Sequence, residues 1–506
     1  MVLRKMKHLF TAFAASLFCI ATSAQQPNVL LIIADDLGLD PTPNYLPGPQ
    51  KAAMPNLEAM MANGITFDNV WADPLCSPTR STIITGRYGF RTGVLNANTA
   101  AMISPNEVIL HRYLSNIGSP YATSLIGKWH LNGQTSGPAY PNFMGVPHYA
   151  GLLAGAVADY YAWSLTVNAV QTPRTDYITT AITDLGIEWI GQQTQPWFCW
   201  LAYTAPHVPF HLPPLNMHTQ GPLPTDQASI TANPLPYFLA MVESLDYEMG
   251  RLLATIPADE LANTVIIFIG DNGTDRNVIQ APHTMNHGKG TLYEGGVHVP
   301  LVISGPGVTR VGQREEALVN STDLFTTIVE LTGANLPVYQ DSRSLVPMFS
   351  QAGQSVRECL YTDVEDLTIG HANRNARYKV ITLANGTEAF YDLQVDPWEQ
   401  DELLATGLNA EQQAAYDDLV VNCDVFTGVS RVRSDDFSVH PNPATDLLSI
   451  DGPNTWPGSY VIRDLTGALV LSGSVAGNAR SVPVTGLGAG IYLLDLDGHW
   501  QRFVKQ

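Results

Sequence analysis

Basic residues are scarce in this chain, whose 506 residues include 26 lysines and arginines against 46 aspartates and glutamates. The formal net charge is −20 at pH 7. A nucleic acid is therefore not the expected partner, because binding its phosphates needs a basic surface. The acidic balance does not exclude a small anionic substrate, since a few cations can gather at one site of an acidic protein.

Long hydrophobic runs are also missing after the first residues. An apolar segment at 11–21 follows basic residues and leads into small ones, which predicts a secretory signal at 1–24, cleaved after Ala24. The segment is too short to span a membrane in the mature chain, and no other stretch predicts a transmembrane helix. Lipidation at Cys19 is the alternative, but Phe18 is bulky where such sites need a small residue.

Cysteine is rare as well. Loss of the signal removes Cys19 and leaves Cys76, Cys199, Cys359 and Cys423. A chain of this length can bury a core without disulfides. Cys199 lies in an apolar run and is expected in the core, while the sequence leaves open whether Cys359 and Cys423 pair. Cys76 needs a separate explanation.

From residue 25 to 340, apolar runs of strand length alternate with amphipathic segments. This alternation predicts an α/β domain with a large, mainly parallel sheet flanked by helices. The clearest strand candidates are apolar on both faces, as expected at the centre of such a sheet. They are NVLLIIA (28–34), YATSLIG (121–127), PWFCWLAY (196–203), NTVIIFIG (263–270) and VPLVISG (299–305).

The rest of the chain has a different pattern. Residues 341–426 carry shorter, mixed segments and predict a smaller antiparallel α+β subdomain, followed by a linker at 427–435. Residues 436–506 contain short β-like runs broken by Gly, Asn and Asp, which predicts a C-terminal β-sandwich.

Polar side chains come just after four of the predicted strands. They are Asp35 and Asp36, Lys128 and His130, His207, and Asp271 and Asn272. An aspartate pair or a D-N-G sequence can also be a simple turn or cap. The carboxyl ends of parallel strands, however, meet at one edge of a sheet, where ligands bind, so the coincidence predicts a site. Its carboxylate and amide oxygens suit a hard divalent cation, calcium before magnesium, and the chain lacks the His and Cys spacing of a zinc site.

The stretch LCSPTRSTIITGR (75–87) predicts a helix with Ser77 as its N-cap and Gly86 at its end. Cys76 then lies at the helix entrance and Arg80 about one turn inside, where the helix dipole favours an anion. A thiol at such a place would have a lowered pKa and react readily. In an oxidising compartment that reactivity is a liability, unless the thiol has been converted to another group.

The sequence C-S-P-T-R at 76–80, followed by T-G-R at 85–87, resembles the signature of the formylglycine-dependent sulfatases of the alkaline phosphatase superfamily. Further similar segments run in family order over residues 27–400, among them NVLLIIADDLG, IGKWHL, APHVPF, GDNG, HGKGTLYEGGV and FYDLQVDPWE. The resemblance implies an alkaline phosphatase-like fold and hydrolysis of a sulfate ester with one calcium ion. It also implies that a maturation enzyme converts Cys76 to formylglycine.

Position by position, the resemblance implies that the modified Cys76 completes a metal site formed by Asp35, Asp36, Asp271 and Asn272. The implied catalytic positions are Cys76, Arg80, Lys128, His130, His207 and Lys289. Arg80 and Lys128 would hold the formylglycine and the sulfate oxygens. His130 would deprotonate the remaining hydroxyl as sulfate is released. His207 and Lys289 would contact the sulfate and assist departure of the leaving oxygen.

Two segments depart from the family pattern. Residues 35–48, DDLGLDPTPNYLPG, lack the glycine-rich continuation that many relatives have, which leaves the shape of one active-site loop open. His298 stands where an arginine is common, in a supporting position.

The segments HPNPA, RDLTGALV, GIYLL and FVKQ within residues 436–506 resemble, in that order, the C-terminal sorting domain of type IX secretion substrates. This resemblance implies contact with the type IX machinery and a secreted or cell-surface location after passage through the periplasm. A carbohydrate-binding or spacer sandwich is the alternative.

The substrate is less well marked. Tyr160, Tyr161 or Trp163 could stack on a sugar ring, although packing in the core or a loop is the favoured interpretation, and His148 and His211 are candidate specificity contacts. Export favours a sulfated polysaccharide or oligosaccharide. The alternatives are a phosphate mono- or diester hydrolase with the same nucleophile and an inactive glycan-binding protein on this scaffold. The sugar, the sulfate position, exo or endo action and the oligomeric state stay open.

Overall fold

The computed structural model describes residues 26–98, 101–133, 136–365, 369–423, 438–441, 443–451, 459–464, 469–474, 481–496 and 499–505. The predicted signal at 1–24 and the predicted linker at 427–435 lie outside the described residues. No helix within these ranges is both long and apolar enough to cross a membrane.

A ten-stranded sheet in the order β10-β2-β9-β8-β1-β7-β3-β4-β5-β6 forms the centre of the fold. Its strands are β1 (Asn28–Ala34), β2 (Gly64–Trp71), β3 (Ala122–Gly127), β4 (His148–Gly151), β5 (Trp163–Val167), β6 (Val170–Arg174), β7 (Trp197–Ala202), β8 (Thr264–Gly270), β9 (Leu301–Ser304) and β10 (Gln313–Asn320). The run β8-β1-β7-β3-β4 is parallel throughout, which confirms the predicted mixed, mainly parallel sheet. The strand predicted at 299–305 is present as β9, but it pairs antiparallel with both of its neighbours.

Helices cover both faces of this sheet, because alternate side chains of the buried strands point to opposite sides. Leu31 and Ile33 of β1 pack into one apolar core, and Leu30 and Ile32 into the other. The helices in the described ranges are α1 (Pro55–Ala62), α2 (Cys76–Thr85), α3 (Gly89–Thr92), α4 (Leu110–Asn116), α5 (Tyr140–Met144), α6 (Ile178–Ile190), α7 (Gln227–Ala232), α8 (Leu235–Thr255), α9 (Ala258–Ala262), α10 (Glu294–Val297), α11 (Asp323–Leu331) and α12 (Ala410–Asn422). Short 3₁₀ turns lie at Leu215–Met217, Met285–His287 and Val346–Phe349.

A smaller antiparallel sheet with a covering helix follows the central domain. Its strands are β13 (Leu360–Glu365), β14 (Ile369–Arg374), β15 (Tyr378–Leu383) and β16 (Glu388–Asp392), preceded by the hairpin β11 (Val338–Tyr339) and β12 (Ser342–Arg343). Leu360 and Val364 of β13 pack in one apolar cluster with Trp71 and Leu75 of the central domain. Leu75 directly precedes α2, so this contact supports the start of that helix.

Two antiparallel sheets form the C-terminal region, in the orders β17-β18-β21 and β20-β19-β22-β23. Their strands are β17 (Ser438–His440), β18 (Leu447–Asp451), β19 (Ser459–Asp464), β20 (Leu469–Ser474), β21 (Ser481–Pro483), β22 (Gly490–Leu496) and β23 (His499–Lys505). Buried side chains from both sheets, including Leu448, Ile462 and Phe503, share one apolar cluster. The region is thus a β-sandwich in the sense that packed sheets enclose a common core.

A disulfide joins Cys359, just before β13, to Cys423, just after α12. The two cysteines are 64 residues apart in sequence, and their Cα atoms are 5.7 Å apart. The bond thereby ties the end of the covering helix to the edge of the small sheet, while Cys76 and Cys199 are free and buried.

Removing this disulfide is expected to destabilise the subdomain. A Cys359→Ser/Cys423→Ser variant restores the freedom of a long loop to the unfolded chain, which predicts a loss of about 2–4 kcal/mol in the free energy of unfolding. Chemical denaturation with and without reductant measures it. Reductant should lower the denaturation midpoint of the wild type to that of the variant and leave the midpoint of the variant unchanged. Equal midpoints of the two proteins without reductant would contradict the prediction.

Candidate active site

The polar residues predicted after the strands lie at one edge of the central sheet. Asp35 and Asp36 follow β1, and Asp271 and Asn272 follow β8, its parallel neighbour. The other parallel neighbour of β1 is β7, with His207 in the loop beyond it, and β3 next to β7 leads into Lys128 and His130. The parallel order β8-β1-β7-β3 is thus the reason that these distant segments meet.

Buried carboxyl groups form the floor of the site. Asp36 has a left-handed backbone, with φ of 68°, and its N–H donates to Asp271 Oδ1 at 3.0 Å. Asn272 Nδ2 donates to Asp36 Oδ1 at 3.0 Å. Asp35 and Asp271 each offer a carboxylate oxygen, and these oxygens and Cys76 Sγ all lie within 4.8 Å of one another.

Several oxygens of this cluster lack a hydrogen-bond donor in the described part of the chain, namely Asp35 Oδ1, Asp36 Oδ2 and Asn272 Oδ1. Buried oxygens without a partner are costly unless another ligand satisfies them. A set of carboxylate and amide oxygens fits a hard divalent cation such as Ca²⁺ or Mg²⁺. The residues present therefore fit the metal site that the sequence predicts.

Each aspartate also faces a basic side chain. Lys128 Nζ donates to Asp35 Oδ2. Arg80 Nη2 lies 2.7 Å from Asp271 Oδ2. Lys289 Nζ lies 2.6 Å from Asp36 Oδ1. Burial and the nearby Asp35 raise the pKa of Asp271 to about 6, although Arg80 opposes the shift. Burial also acts to raise the pKa of Asp36, but Lys289 and the neighbouring His207 outweigh it and the pKa is lowered.

Helix α2 begins at Cys76 itself, with Leu75 in the N-cap position and no side-chain cap. The predicted N-cap, Ser77, is therefore wrong. Its hydroxyl instead donates to the main-chain oxygen of His130 at 2.8 Å, a long-range contact that local sequence does not reveal. The predicted end is confirmed, since Gly86 closes the helix in the left-handed conformation with φ of 67°.

The buried guanidinium of Arg80 fixes the direction of α2. Besides its pair with Asp271, it donates to the main-chain oxygen of Lys128 at 3.0 Å. Arg80 is 1% exposed. The first turn of the helix, with Cys76, is thereby held against the carboxylate cluster.

His130 lies beside Cys76, with Nδ1 3.2 Å from Sγ. Its backbone is left-handed, with φ of 51°, and a Cβ on Gly155 would lie only 2.1 Å from the His130 ring. The main chain at Gly155 therefore packs directly against the imidazole, with no room for a side chain. Burial lowers the pKa of His130 to about 3, with Lys128 acting in the same direction, so the ring is neutral at pH 7.

His207 occupies the other side of the cluster. Its Nδ1 donates to the main-chain oxygen of Val208 at 2.8 Å, and its Nε2 lies 3.9 Å from Asp36 Oδ2. Burial lowers the pKa of His207 to about 3 against the opposing effect of Asp36. The Tyr160 hydroxyl donates to the main-chain oxygen of His207 at 2.6 Å and supports its position.

A cavity of about 480 Å³ opens over these groups. Its lining residues are Cys76, Ala97, Asn98, Ala101, His130, Asn132, Gly133, Leu153, Ala154, Gly155, Ala156, His207 and Lys289. Of the predicted site residues, Cys76, His130, His207 and Lys289 border this cavity. Asp35, Asp36, Arg80, Lys128, Asp271 and Asn272 are buried beneath it.

The candidate sugar platform lies elsewhere. Tyr160 and Trp163 are buried and packed, and the Trp163 indole donates to the main-chain oxygen of Asp176 at 3.0 Å. Tyr161 is 39% exposed but is not among the residues that line the cavity. His211 contacts the Tyr177 hydroxyl at 3.2 Å.

His148 and His298 also have structural partners. The His148 ring stacks on Trp189 with ring centres 6.2 Å apart. His298, which replaces the common arginine, lies 2.9 Å from Glu294 and 2.7 Å from the main-chain oxygen of Asp68. It thus has a supporting contact away from the cavity.

Comparison with known proteins gives matches along most of the chain. Residues 27–334 match the sulfatase family model, 284–423 the model for the C-terminal part of N-sulphoglucosamine sulphohydrolase, and 438–506 the secretion system C-terminal sorting domain. Arylsulfatase A of Bos taurus is 29% identical over 430 residues, covering 77% of this chain and 80% of that protein. N-acetylgalactosamine-6-sulfatase of Sus scrofa is 26% identical, covering 70% and 72%.

Solved structures share the fold. The crystal structure of Ps i-CgsB in complex with k-i-k-neocarrahexaose aligns with a TM-score of 0.66 at 23% identity, covering 78% of this chain and 92% of the other. The structure of BT4656 in complex with its substrate D-glucosamine-2-N,6-O-disulfate aligns with a TM-score of 0.65 at 20% identity, covering 78% and 97%.

The contact between Gly155 and His130 predicts that Gly155→Ala displaces the imidazole. The sequence resemblance predicts His130 as a proton acceptor, and a small misplacement of such a group is costly. We therefore expect kcat on an aryl sulfate to fall about 10- to 100-fold with little change in KM. Steady-state kinetics beside a thermal unfolding curve measure the effect. Gly486→Ala is the matched control, since a Cβ there meets no atom within 4 Å. Wild-type kcat in Gly155→Ala would show that the glycine does not position His130.

Proposed function

This chain belongs to the sulfatase family, and on that premise we propose that it hydrolyses a sulfate ester with a formylglycine made from Cys76 and one calcium ion. The observation that carries the proposal is the position of Cys76 Sγ. It lies at the start of α2, beside the Asp35 and Asp271 carboxylates and 3.2 Å from His130 Nδ1. A hydrated aldehyde at this position would supply one hydroxyl to attack sulfur and a second to expel sulfate afterwards.

Asp35, Asp36, Asp271 and Asn272 are the proposed calcium ligands. The unpartnered buried oxygens of Asp35, Asp36 and Asn272 support this assignment, as does the closeness of an Asp271 oxygen to Asp35 and Cys76. Calcium bound there would lower the pKa of an oxygen at position 76 and so favour its nucleophilic form. Magnesium is the less suitable ion, because it demands a tighter octahedron and keeps more of its water.

His130 is the proposed base for sulfate release. It must be unprotonated to take a proton from the hydroxyl at position 76, and its buried, neutral ring meets that requirement. Ser77 and Gly155 act as positioning residues for it, the first through its hydrogen bond to the His130 main chain and the second through direct contact with the ring.

Lys289 and His207 are the proposed contacts to the sulfate and the leaving oxygen, because both border the cavity. Asp36 raises the pKa of Lys289 above its ordinary value although burial opposes it, which keeps the ammonium charged. A charged group aimed at the leaving oxygen stabilises the negative charge that develops there. Arg80 and Lys128 are more deeply buried and would hold the formylglycine and the sulfate oxygens.

A sulfated polysaccharide or oligosaccharide is the proposed substrate class. The relatives include a protein named N-acetylgalactosamine-6-sulfatase, and the structural neighbours include complexes with k-i-k-neocarrahexaose and D-glucosamine-2-N,6-O-disulfate. The matched sorting domain implies type IX secretion to the outer membrane or the extracellular space, where such polymers are accessible. We propose that a maturation enzyme modifies Cys76 before the chain leaves the periplasm.

Replacing the nucleophile tests this chemistry. Cys76→Ser can accept sulfate but has no second hydroxyl to release it, so turnover of nitrophenyl sulfate should fall by at least about 10³-fold while one sulfate accumulates per chain. Mass spectrometry of the peptide around position 76 should find the aldehyde in the wild type and the sulfated serine in the variant. Near-normal multiple turnover by Cys76→Ser, or a large preference of the wild type for nitrophenyl phosphate, would overturn the proposal.

Metal removal tests the calcium assignment. Chelation should abolish turnover, and added Ca²⁺ should restore it better than Mg²⁺. Because a ligand that binds the native state stabilises it, Ca²⁺ should also raise the Tm of the chelated wild type. Asp271→Asn should lose most of this Tm increase, whereas Asp226→Asn, at an exposed helix cap, should keep it. Full activity after thorough removal of calcium would contradict the assigned ligands.

A further inference from the structure

The basic groups of the cavity lie at its inner end. Among the described lining residues, those with basic side chains are His130, His207 and Lys289. Lys289 and His207 face Asp36, and His130 faces Cys76. Of these three, Lys289 carries the positive charge, and it therefore lies where the sulfate group itself would lie.

The remaining described lining residues of the same cavity, here called the neutral wall, carry no charged side chain. This wall is built from small, apolar or amide side chains, which are Ala97, Asn98, Ala101, Asn132, Gly133, Leu153, Ala154, Gly155 and Ala156. The sequence extends this observation to the neighbours of these residues. Segments 95–103, 131–147 and 151–158 contain no Asp, Glu, Lys, Arg or His.

We propose that this neutral wall makes the enzyme selective for sulfate esters of uncharged alcohols, such as a sugar ring that bears one sulfate and neither a carboxylate nor a second sulfate. This rests on the sulfate-ester hydrolysis proposed above. A second anionic group on the ring would lose hydration against the alanine-rich wall without gaining a cation. A hydroxyl group of a neutral sugar, in contrast, can donate to Asn132 Oδ1, which has no hydrogen-bond donor in the described part of the chain.

The net charge of the chain acts in the same direction. At −20, the protein repels an ester that carries a second anionic group more strongly than a singly charged ester, and among the described lining residues no basic patch at the rim of the cavity offsets this repulsion. Repulsion at long range is screened by salt, whereas the desolvation cost at the wall is not. The two contributions can therefore be separated by experiment.

Ala154 is the position at which the wall can be changed. It lies in the exposed part of the loop between β4 and β5 and lines the cavity. A lysine there places a cation where the second anionic group would lie. Ala158 lies in the same loop, is also exposed and is not among the lining residues, so Ala158→Lys is the matched control for added charge.

The test uses a pair of aryl sulfates, one with a 3-carboxamide and one with a 3-carboxylate on the phenyl ring. With the matured wild type and Ca²⁺, kcat/KM should be about tenfold or more higher for the carboxamide, since burying an unpaired ion costs at least about 1.4 kcal/mol. The preference should persist at about 0.5 M salt, where charges beyond a few ångströms are screened. Ala154→Lys should reduce the ratio and Ala158→Lys should leave it unchanged.

The outcomes separate this inference from the proposed function. If neither ester is hydrolysed, the proposed sulfate-ester hydrolysis itself is contradicted. Equal hydrolysis of both esters, or a preference that disappears in salt, would overturn selection by the wall. A ratio that both lysine variants lower equally would also overturn it, because the effect would then come from total charge. With sugars in place of the aryl sulfates, kcat/KM should likewise be higher for a monosulfated sugar than for its disulfated counterpart.

Discussion

The buried aspartates beyond β1 and β8 place several like charges close together and away from water. Such an arrangement is stable only where opposite charges and a metal compensate it. The chain supplies Arg80 from α2, Lys128 from the end of β3 and Lys289 from the loop before α10, each paired with a different aspartate. Charge compensation at this one point therefore joins segments that are distant in sequence, and the rest of the site depends on it.

The position of the nucleophile follows from this compensation. Helix α2 has no side-chain cap at its start, and its first turn is held by Arg80, which reaches under it to Asp271 and to the Lys128 main chain. Cys76 is consequently next to the carboxylates without forming an ion pair itself. The surrounding apolar contacts, such as that of Leu75 with the small sheet, stabilise the helix but do not direct its first turn toward the carboxylates.

Local signals made much of this fold and site predictable. The strands at 28–34 and 263–270 are continuous apolar runs, and the polar residues after them meet because parallel strands share one edge. Contacts between remote segments were not predictable. The antiparallel direction of β9, the start of α2 at Cys76 and the contact of Gly155 with His130 all depend on neighbours that are far away in sequence.

The site also explains how a strongly acidic protein can bind an anion. Within the described site, the aspartates and the basic side chains pair one to one, so the protein groups alone give a nearly neutral centre. The two charges of the proposed calcium ion would then be available to the sulfate, which carries a single charge as a monoester. Because this excess is confined to the inner end of the cavity, a second anion beside the other described lining residues would meet neutral side chains and the negative field of the whole chain. Affinity for one sulfate and discrimination against a second thus follow from the same distribution of charge.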